Sequence, residues 1–173
     1  MSMGDVHPGT VDQLAAIASL SRTLDNEAID YWLFGGWAVD FWVGRITRVH
    51  DDIDVAAWRH DYEAIQTALQ TAGWRHTPVP DQVVGTRYQW GTAQVEFTFM
   101  TTDSHGRAVI PLPNHPIVWS VEPLGHERRE LRNITSRVVP LALLRAGKSL
   151  PREGSADGAK DRSDAQALSS LQP

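Results

Sequence analysis

The sequence contains no cysteine, and this absence excludes three kinds of chemistry at once. The protein has no disulfide framework, no thiolate metal ligand and no cysteine nucleophile. Its longest apolar stretches, such as 32–34 and 138–144, are far shorter than the roughly 20 apolar residues that cross a bilayer. The first residues also lack the basic start and apolar core of a secretory signal. We therefore expect a cytoplasmic protein with no membrane segment.

A basic patch of the kind that binds nucleic acid is also missing. The chain carries 16 basic against 21 acidic residues, a formal net charge of −5. Its most basic stretch, 127–132, is balanced by its own glutamates. Nucleic-acid-binding proteins usually gather Lys and Arg on one face, where they neutralise phosphates. The composition therefore argues against nucleic acid as a partner and suits a cationic small molecule better.

The hydrophobic pattern predicts one domain over residues 1–173, of α/β or α+β class. Helical spacing of apolar residues predicts helices over 11–29, 37–43, 61–72, 141–148 and 161–171. Short apolar or alternating runs predict strands over 31–34, 53–58, 74–79, 83–90, 93–99 and 134–139. The stretch 103–116 is rich in Pro and His and predicts a loop, and the Gly- and Ser-rich stretch 148–160 predicts a mobile loop.

Two glycines, Gly35 and Gly36, stand between the predicted strand 31–34 and the helix that follows. Without Cβ atoms the backbone can approach a ligand closely, and the first turn of a helix offers free N–H groups and a positive dipole end. This arrangement suits a triphosphate. A plain strand-to-helix turn explains the pair equally well, so the glycines alone leave both interpretations open.

An acidic run lies where the next predicted strand begins. Asp52 and Asp54 point to the same face of a strand, while Asp51 and Ile53 point to the other. Two neighbouring carboxylates repel each other unless a cation lies between them, and hard oxygen ligands at this spacing suit Mg²⁺. A solvated acidic turn is the alternative, but the apolar residues from 53 onward indicate that this segment enters the core.

Glu96 provides a third carboxylate. It lies on the polar face of the predicted strand 93–99, opposite Val95 and Phe97. If this strand lies beside 53–58, Glu96 completes an acidic triad. The alternative is a surface glutamate on an edge strand, since glutamates are usually exposed.

Other residues near these carboxylates allow two interpretations each. Arg48 precedes the acidic run, and it could contact a phosphate or form an ion pair with Asp40 or Asp51. For His50, orienting a neighbouring carboxylate is favoured over binding a metal. The tryptophans at positions 90 and 119 could stack on a nucleobase or sugar, or pack in the core.

The segment 32–58 resembles the DNA polymerase β-like nucleotidyltransferase superfamily. Its signature is a glycine pair after a strand, a short helix, and Asp-x-Asp on the next strand. The fuller string is similar to the branch that holds the short aminoglycoside 2″-adenylyltransferases and the lincosamide nucleotidyltransferases: Gly35-Gly36-Trp37-Ala38-Val39-Asp40, Gly44-Arg45-Ile46-Thr47-Arg48 and His50-Asp51-Asp52-Ile53-Asp54. A weaker similarity covers Glu96 and 160–164, and nothing in 100–139 matches.

The resemblance implies a mixed β-sheet flanked by helices. It implies that Gly35 and Gly36 hold the triphosphate, that Asp52 and Asp54 hold the metal, and that Glu96 is the third carboxylate, either a general base or a second metal ligand. There are two departures. Many superfamily members have Ser after the first glycine, whereas Gly36-Trp37 offers only backbone N–H groups. Several relatives have Asp as the third carboxylate, and Glu96 is one methylene longer.

The main hypothesis is a Mg²⁺-dependent nucleotidyltransferase that moves AMP from ATP onto a hydroxyl of an aminoglycoside- or lincosamide-like small molecule. Its partners are a nucleoside triphosphate and this acceptor, and the protein is a monomer or homodimer. The alternatives are a toxin-type nucleotidyltransferase acting on tRNA or protein, and a non-catalytic nucleotide-binding module. The negative net charge of the chain argues against tRNA as the acceptor. The clustered carboxylates argue against a non-catalytic module, because such a cluster is costly without a cation.

Overall fold

The computed structural model describes residues 6–80, 82–149 and 152–172, and in them five α-helices and nine strands. The helices are α1 (Pro8–Asn26), α2 (Gly35–Val43), α3 (Tyr62–Thr71), α4 (Leu141–Lys148) and α5 (Ser155–Ser169). The strands are β1 (Tyr31–Phe34), β2 (Ile53–Trp58), β3 (Arg75–His76), β4 (Gly85–Trp90), β5 (Ala93–Thr102), β6 (Ala108–Ile110), β7 (Ile117–Ser120), β8 (Arg128–Leu131) and β9 (Ile134–Arg137). None of the described helices is both long and apolar enough to span a bilayer.

The main sheet is mixed, as predicted. Its strand order is β1-β2-β5-β4-β3. In addition, β6 pairs with the C-terminal end of β5, and β7 pairs with β6. β2 and β5 run parallel, whereas β1 is antiparallel to β2 and β4 is antiparallel to β5. β8 and β9 form a separate hairpin. The α/β (α+β) fold class, a mixed sheet flanked by helices, is therefore confirmed.

The two faces of the sheet differ in burial. Val55, Val95 and Phe97 are fully buried on one face, and β5 contacts α1, which in turn packs on α3. Side chains alternate along a strand, and residues paired across neighbouring strands share a face. Asp54 and its register partner Glu96 therefore lie on the opposite face, where both are partly exposed. That face carries the acidic cluster.

β1 passes directly into α2, without a loop. Phe34 has extended backbone angles, Gly35 has a φ of +66°, and α2 begins at Gly35. The helix ends at Val43 and is capped by Gly44, which has a left-handed φ of 80° and donates its N–H to the Asp40 carbonyl oxygen. This short connection places the first turn of α2 beside the N-terminal end of β2, where the acidic run lies.

The predicted boundaries around residue 150 were wrong. α5 begins at Ser155 and ends at Ser169, so the second part of the stretch predicted as a loop over 148–160 is the start of this helix. Of that stretch, Leu150 and Pro151 lie outside the described residues. The first turns of α5 carry few apolar residues, and ion pairs to Arg152 stabilise them instead, which hydrophobic spacing does not reveal. The predicted loop 103–116 likewise contains β6.

Candidate active site

Three carboxylates converge at one end of β2 and β5. Asp54 on β2 pairs in register with Glu96 on β5, and Asp52 lies immediately before β2. One carboxylate oxygen from each residue lies within 4.8 Å of those from the other two. The structure thus brings together the residues that the sequence analysis proposed as an acidic triad, and the parallel pairing of β2 with β5 explains their proximity.

The negative charge of Asp52 and Asp54 is only partly balanced by the residues that the structure describes. Burial, followed by the charges of Asp52 and Glu96, raises the pKa of Asp54 to about 7. Burial also raises the pKa of Asp52, with smaller contributions from Glu96 and Asp51. Among the described residues, none donates a hydrogen bond to Asp52 or Asp54 or forms an ion pair with either. Both carboxylates therefore keep their capacity to bind a cation.

Each basic side chain around Asp52 and Asp54 is paired with a carboxylate other than these two. The pairs are Arg48 with Asp164, Lys148 with Asp161 and Asp164, Arg152 with Asp157 and Asp161, Lys160 with Asp51 and Asp157, and Arg87 with Glu96. Because these cations already have partners, their charges offset those of Asp52 and Asp54 only in part. An oxygen-rich site of this kind fits a hard divalent cation such as Mg²⁺.

Both glycines of the pair are required by close packing. A Cβ atom at Gly35 would lie 2.5 Å from Asp54 Oδ2, and the positive φ of Gly35 is itself unfavourable for other residues. A Cβ atom at Gly36 would collide with the His50 ring and the Arg48 guanidinium. The first turn of α2 can therefore lie against the acidic cluster only because both positions lack a side chain.

We expect Gly36→Ala to destabilise the protein. Its methyl group would press on His50, which Asp40 holds, and on Arg48, which Asp164 holds, so neither neighbour can move away cheaply. Overpacking of this kind costs about 1–3 kcal/mol in the free energy of unfolding. Urea denaturation measures it. Gly147→Ala is the control, because a Cβ there meets nothing within 4 Å. Equal stabilities of the two variants would contradict the packing described for Gly36.

A buried layer of polar residues supports the turn before the acidic run. His50 Nε2 lies 2.6 Å from Asp40 Oδ2, and the Thr47 hydroxyl donates to Asp40 Oδ1 at 2.5 Å. The Gln13 amide donates to the His50 carbonyl oxygen at 3.0 Å. Trp37 in turn donates from its indole N–H to Gln13 Oε1 at 3.0 Å. The Trp37 side chain thus lies in the core, and only its backbone is available to a ligand.

Arg48 has a partner that the sequence analysis did not consider. Its Nε donates to Asp164 Oδ1 at 2.9 Å and its Nη2 to Asp164 Oδ2 at 3.1 Å, in a bidentate pair. The alternatives weighed from the sequence, Asp40 and Asp51, are not its ion-pair partners. Burial opposes ionisation of Asp164, but hydrogen bonds from Arg48 and Lys148 outweigh it and hold the pKa of Asp164 below its ordinary value.

Cations from α4, α5 and the chain between them complete the cleft, and the sequence analysis missed their role. Lys148, Arg152 and Lys160 line a cavity of about 220 Å³ together with the three carboxylates and the glycine pair. The buried Asp161 holds two of them, since Lys148 Nζ and Arg152 Nε each lie 3.0 Å from its carboxylate. The available signal was the spacing of 157, 160, 161 and 164, which places acidic and basic residues on one helical face.

Glu96 also has a partner that the sequence did not reveal. Arg87 on β4 pairs in register with Glu96 and donates from Nη2 to Glu96 Oε1 at 2.8 Å. The Gln94 amide donates to the same oxygen at 3.3 Å. Both bonds engage Oε1, so Oε2 carries no hydrogen bond from any residue that the structure describes. Glu96 is thus anchored through one oxygen and free at the other.

Comparison with known proteins identifies the family. Residues 16–168 match the family described as aminoglycoside-2″-adenylyltransferase. The chain belongs to this family. Two 2″-aminoglycoside nucleotidyltransferases are 42% identical to it over short regions. The Klebsiella pneumoniae protein matches over 65 residues, which are 38% of this chain and 37% of that protein. The Escherichia coli protein matches over 43 residues, which are 25% of this chain and 24% of that protein. The matched regions thus span well under half of these relatives.

Solved structures of other nucleotidyltransferases share the fold. Lincomycin-bound LnuA, a lincosamide antibiotic adenylyltransferase, superposes with a TM-score of 0.67 at 14% identity, covering 87% of this chain and 92% of LnuA. ANT(2″)-Ia in complex with adenylyl-2″-tobramycin gives a TM-score of 0.64 at 16% identity, covering 90% and 87%. These likenesses extend over nearly the whole chain and confirm the fold that the resemblance implied.

Proposed function

We propose that this family member is a Mg²⁺-dependent enzyme that transfers AMP from ATP to a hydroxyl group of a small molecule. The observation that carries the proposal is the convergence of Asp52, Asp54 and Glu96 within 4.8 Å, with Asp52 and Asp54 in no ion pair with any residue that the structure describes. A divalent cation bound there would neutralise charge on the phosphates during an in-line displacement.

The phosphate side of the site is the side of α2, α4 and α5. The N–H groups in the first turn of α2 and the side chains of Lys148, Arg152 and Lys160 would bind the triphosphate. These cations would exchange part of their contact with aspartates for charge-assisted hydrogen bonds to phosphate oxygens. Arg48 stays tied to Asp164 and would support this side by holding α5 against the loop before β2.

The acceptor side is the side of β5, the strand that carries Glu96. The acceptor hydroxyl oxygen would form a bond to the α-phosphorus, and the bond from that phosphorus to the bridging oxygen of pyrophosphate would break. Glu96 Oε2 would take the hydroxyl proton, since Oε1 is held by Arg87 and Gln94. Pyrophosphate would leave along the side lined by the cations.

An aminoglycoside- or lincosamide-like compound is the acceptor we propose. The family and the named relatives act on antibiotics of these two kinds, and the chain's net charge of −5 suits a cationic acceptor. The acceptors would supply the hydroxyl group, and Asp52 and Asp54 would act on the nucleotide only.

Transfer of label from ATP tests this function. The protein is incubated with Mg²⁺ and ATP labelled at the α-phosphate, together with tobramycin, lincomycin, tRNA or a protein mixture. We expect label in one of the two antibiotics, with release of one pyrophosphate for each transfer. ATP labelled at the γ-phosphate is the control and should leave the acceptor unlabelled. Label arriving from the γ-phosphate would overturn the proposal, and label in tRNA or protein alone would overturn the choice of acceptor.

A further inference from the structure

A second cavity adjoins the acidic cleft on its phosphate side. It has a volume of about 210 Å³ and shares Gly35, Asp54, Lys148 and Arg152 with the cleft. Its other walls are mostly apolar: Phe34, Trp119, Val139, Leu143 and Leu144. The cavity therefore joins an aromatic and aliphatic chamber to the cations that line the acidic cleft.

The two tryptophans that could stack on a ligand have different surroundings. Trp119 on β7 lies in the cavity wall, edge to face with Phe34, with ring centroids 5.4 Å apart. Trp90 on β4 packs on Trp74 with centroids 5.3 Å apart and lines neither the cavity nor the cleft. The structure thus separates a packing tryptophan from one that faces a binding space.

We propose that this cavity binds the nucleobase of the nucleoside triphosphate, with Trp119 as its aromatic wall. The inference rests on the proposed function. A nucleotide joins a flat, weakly polar base to a polyanionic chain, and the cavity and cleft join an apolar aromatic space to Lys148 and Arg152 in the same order. An aromatic side chain beside a base typically contributes much of the affinity for that base.

An apolar part of the acceptor is the competing occupant, and the position of Glu96 argues against it. Glu96 lines the acidic cleft but not the second cavity, whereas Lys148 and Arg152 line both. A molecule in the second cavity is therefore next to the phosphate-binding cations, in a space that Glu96 does not line. That position suits the group attached to the phosphates.

The test compares the binding of Mg²⁺–ATP with the binding of Mg²⁺–tripolyphosphate, in the absence of any acceptor. Tripolyphosphate has the phosphates of ATP but no base, so a difference between the two affinities reports contacts to the base. Calorimetric titration of Trp119→Ala should show ATP affinity lowered roughly 5- to 100-fold, the usual worth of one stacking contact, and tripolyphosphate affinity unchanged. Trp119→Phe should restore most of the ATP affinity. Trp90→Ala, which removes a tryptophan outside the cavity, should bind both as the wild type does.

The outcomes distinguish this inference from the proposed function. Unchanged ATP affinity in Trp119→Ala, or an equal loss for ATP and tripolyphosphate, would overturn the base site while leaving the enzyme assignment standing. A raised KM for the acceptor alone would reassign the cavity to the acceptor. If the wild type binds neither Mg²⁺ complex, both the base site and the proposed function are wrong. Leu143→Ala, which opens the α4 wall, gives the same comparison if Trp119→Ala does not fold.

Discussion

Asp54→Asn should abolish nucleotidyl transfer while leaving the fold intact. The amide keeps the shape of the side chain but loses the charge that would hold a divalent cation against the phosphates. Losing several kcal/mol of such charge stabilisation lowers the rate by roughly 10³-fold or more. The measurement is label transfer from ATP by the variant and the wild type, with circular dichroism to check the fold.

Asp61→Asn is the matched control, because Asp61 follows the opposite end of β2 and lines neither cavity of the site. It should transfer at the wild-type rate. Wild-type turnover in Asp54→Asn would show that the acidic cluster is not the catalytic metal site.

Asp54→Asn should also make the metal-free protein more stable at alkaline pH. The pKa of Asp54 is raised to about 7 in the fold, first by burial and then by Asp52 and Glu96, whereas an unfolded aspartate has a pKa near 3.9. The folded state therefore holds this proton more tightly than the unfolded state. The contribution of Asp54 to stability is present below about pH 4 and is lost as the pH rises through about 7.

Asp54→Asn has no carboxylate at this position, so its stability does not fall in this way as the pH rises. Its free energy of unfolding should exceed that of the wild type by on the order of 1–3 kcal/mol at pH 8 without metal, with a difference that shrinks towards pH 4. Urea denaturation across this pH range, in the presence of a chelator, measures the difference. A variant that is equally or less stable at pH 8 would contradict the raised pKa assigned to Asp54.

Glu96→Gln should slow the chemical step by about 10²–10⁴-fold if Glu96 is the general base, the usual contribution of this kind of catalysis. Binding of Mg²⁺ and ATP should change little, because the amide is nearly isosteric and lies on the side that we propose for the acceptor. If Glu96 chiefly holds a second metal, both metal dependence and nucleotide affinity should weaken together. We favour the base, because Arg87 and Gln94 anchor Oε1 and leave Oε2 for the proton.

Single-turnover transfer alongside ATP titration separates the two roles. Glu130→Gln is the control, since Glu130 is an exposed glutamate on β8 and lines neither cavity of the site. Unchanged transfer together with unchanged binding in Glu96→Gln would remove Glu96 from the site and leave Asp52 and Asp54 as its members.

The strand, helix and strand that carry the glycine pair and the acidic run were predictable from the sequence. β1 and β2 match the predicted strands at 31–34 and 53–58, because short apolar runs there are bounded by Gly and Asp. The sequence predicted that Glu96 lies near Asp54 only on the condition that their two strands are neighbours, because periodicity does not say which strands pair. The parallel register of β2 and β5 supplies that information.

Contacts between distant segments could not be predicted. Arg48 and Asp164 are 116 residues apart, and nothing in either segment points to the other. The start of α5 was missed because polar pairs rather than an apolar stripe hold it. The partner of Glu96 was missed for a related reason: Arg87 reaches it only through the register of the β4–β5 hairpin.

The most direct test of the account counts the divalent metal bound at the acidic cluster. Mn²⁺, which replaces Mg²⁺ and is visible by electron paramagnetic resonance, is titrated into the wild type, Asp54→Asn and Asp61→Asn, with and without a non-hydrolysable ATP analogue. Phosphate oxygens complete the metal's coordination shell, so the analogue should tighten Mn²⁺ binding. We predict this tightening in the wild type and Asp61→Asn and its loss in Asp54→Asn. Mn²⁺ binding by Asp54→Asn that equals the wild type, with and without the analogue, would contradict the assignment of the metal and nucleotide to this cluster.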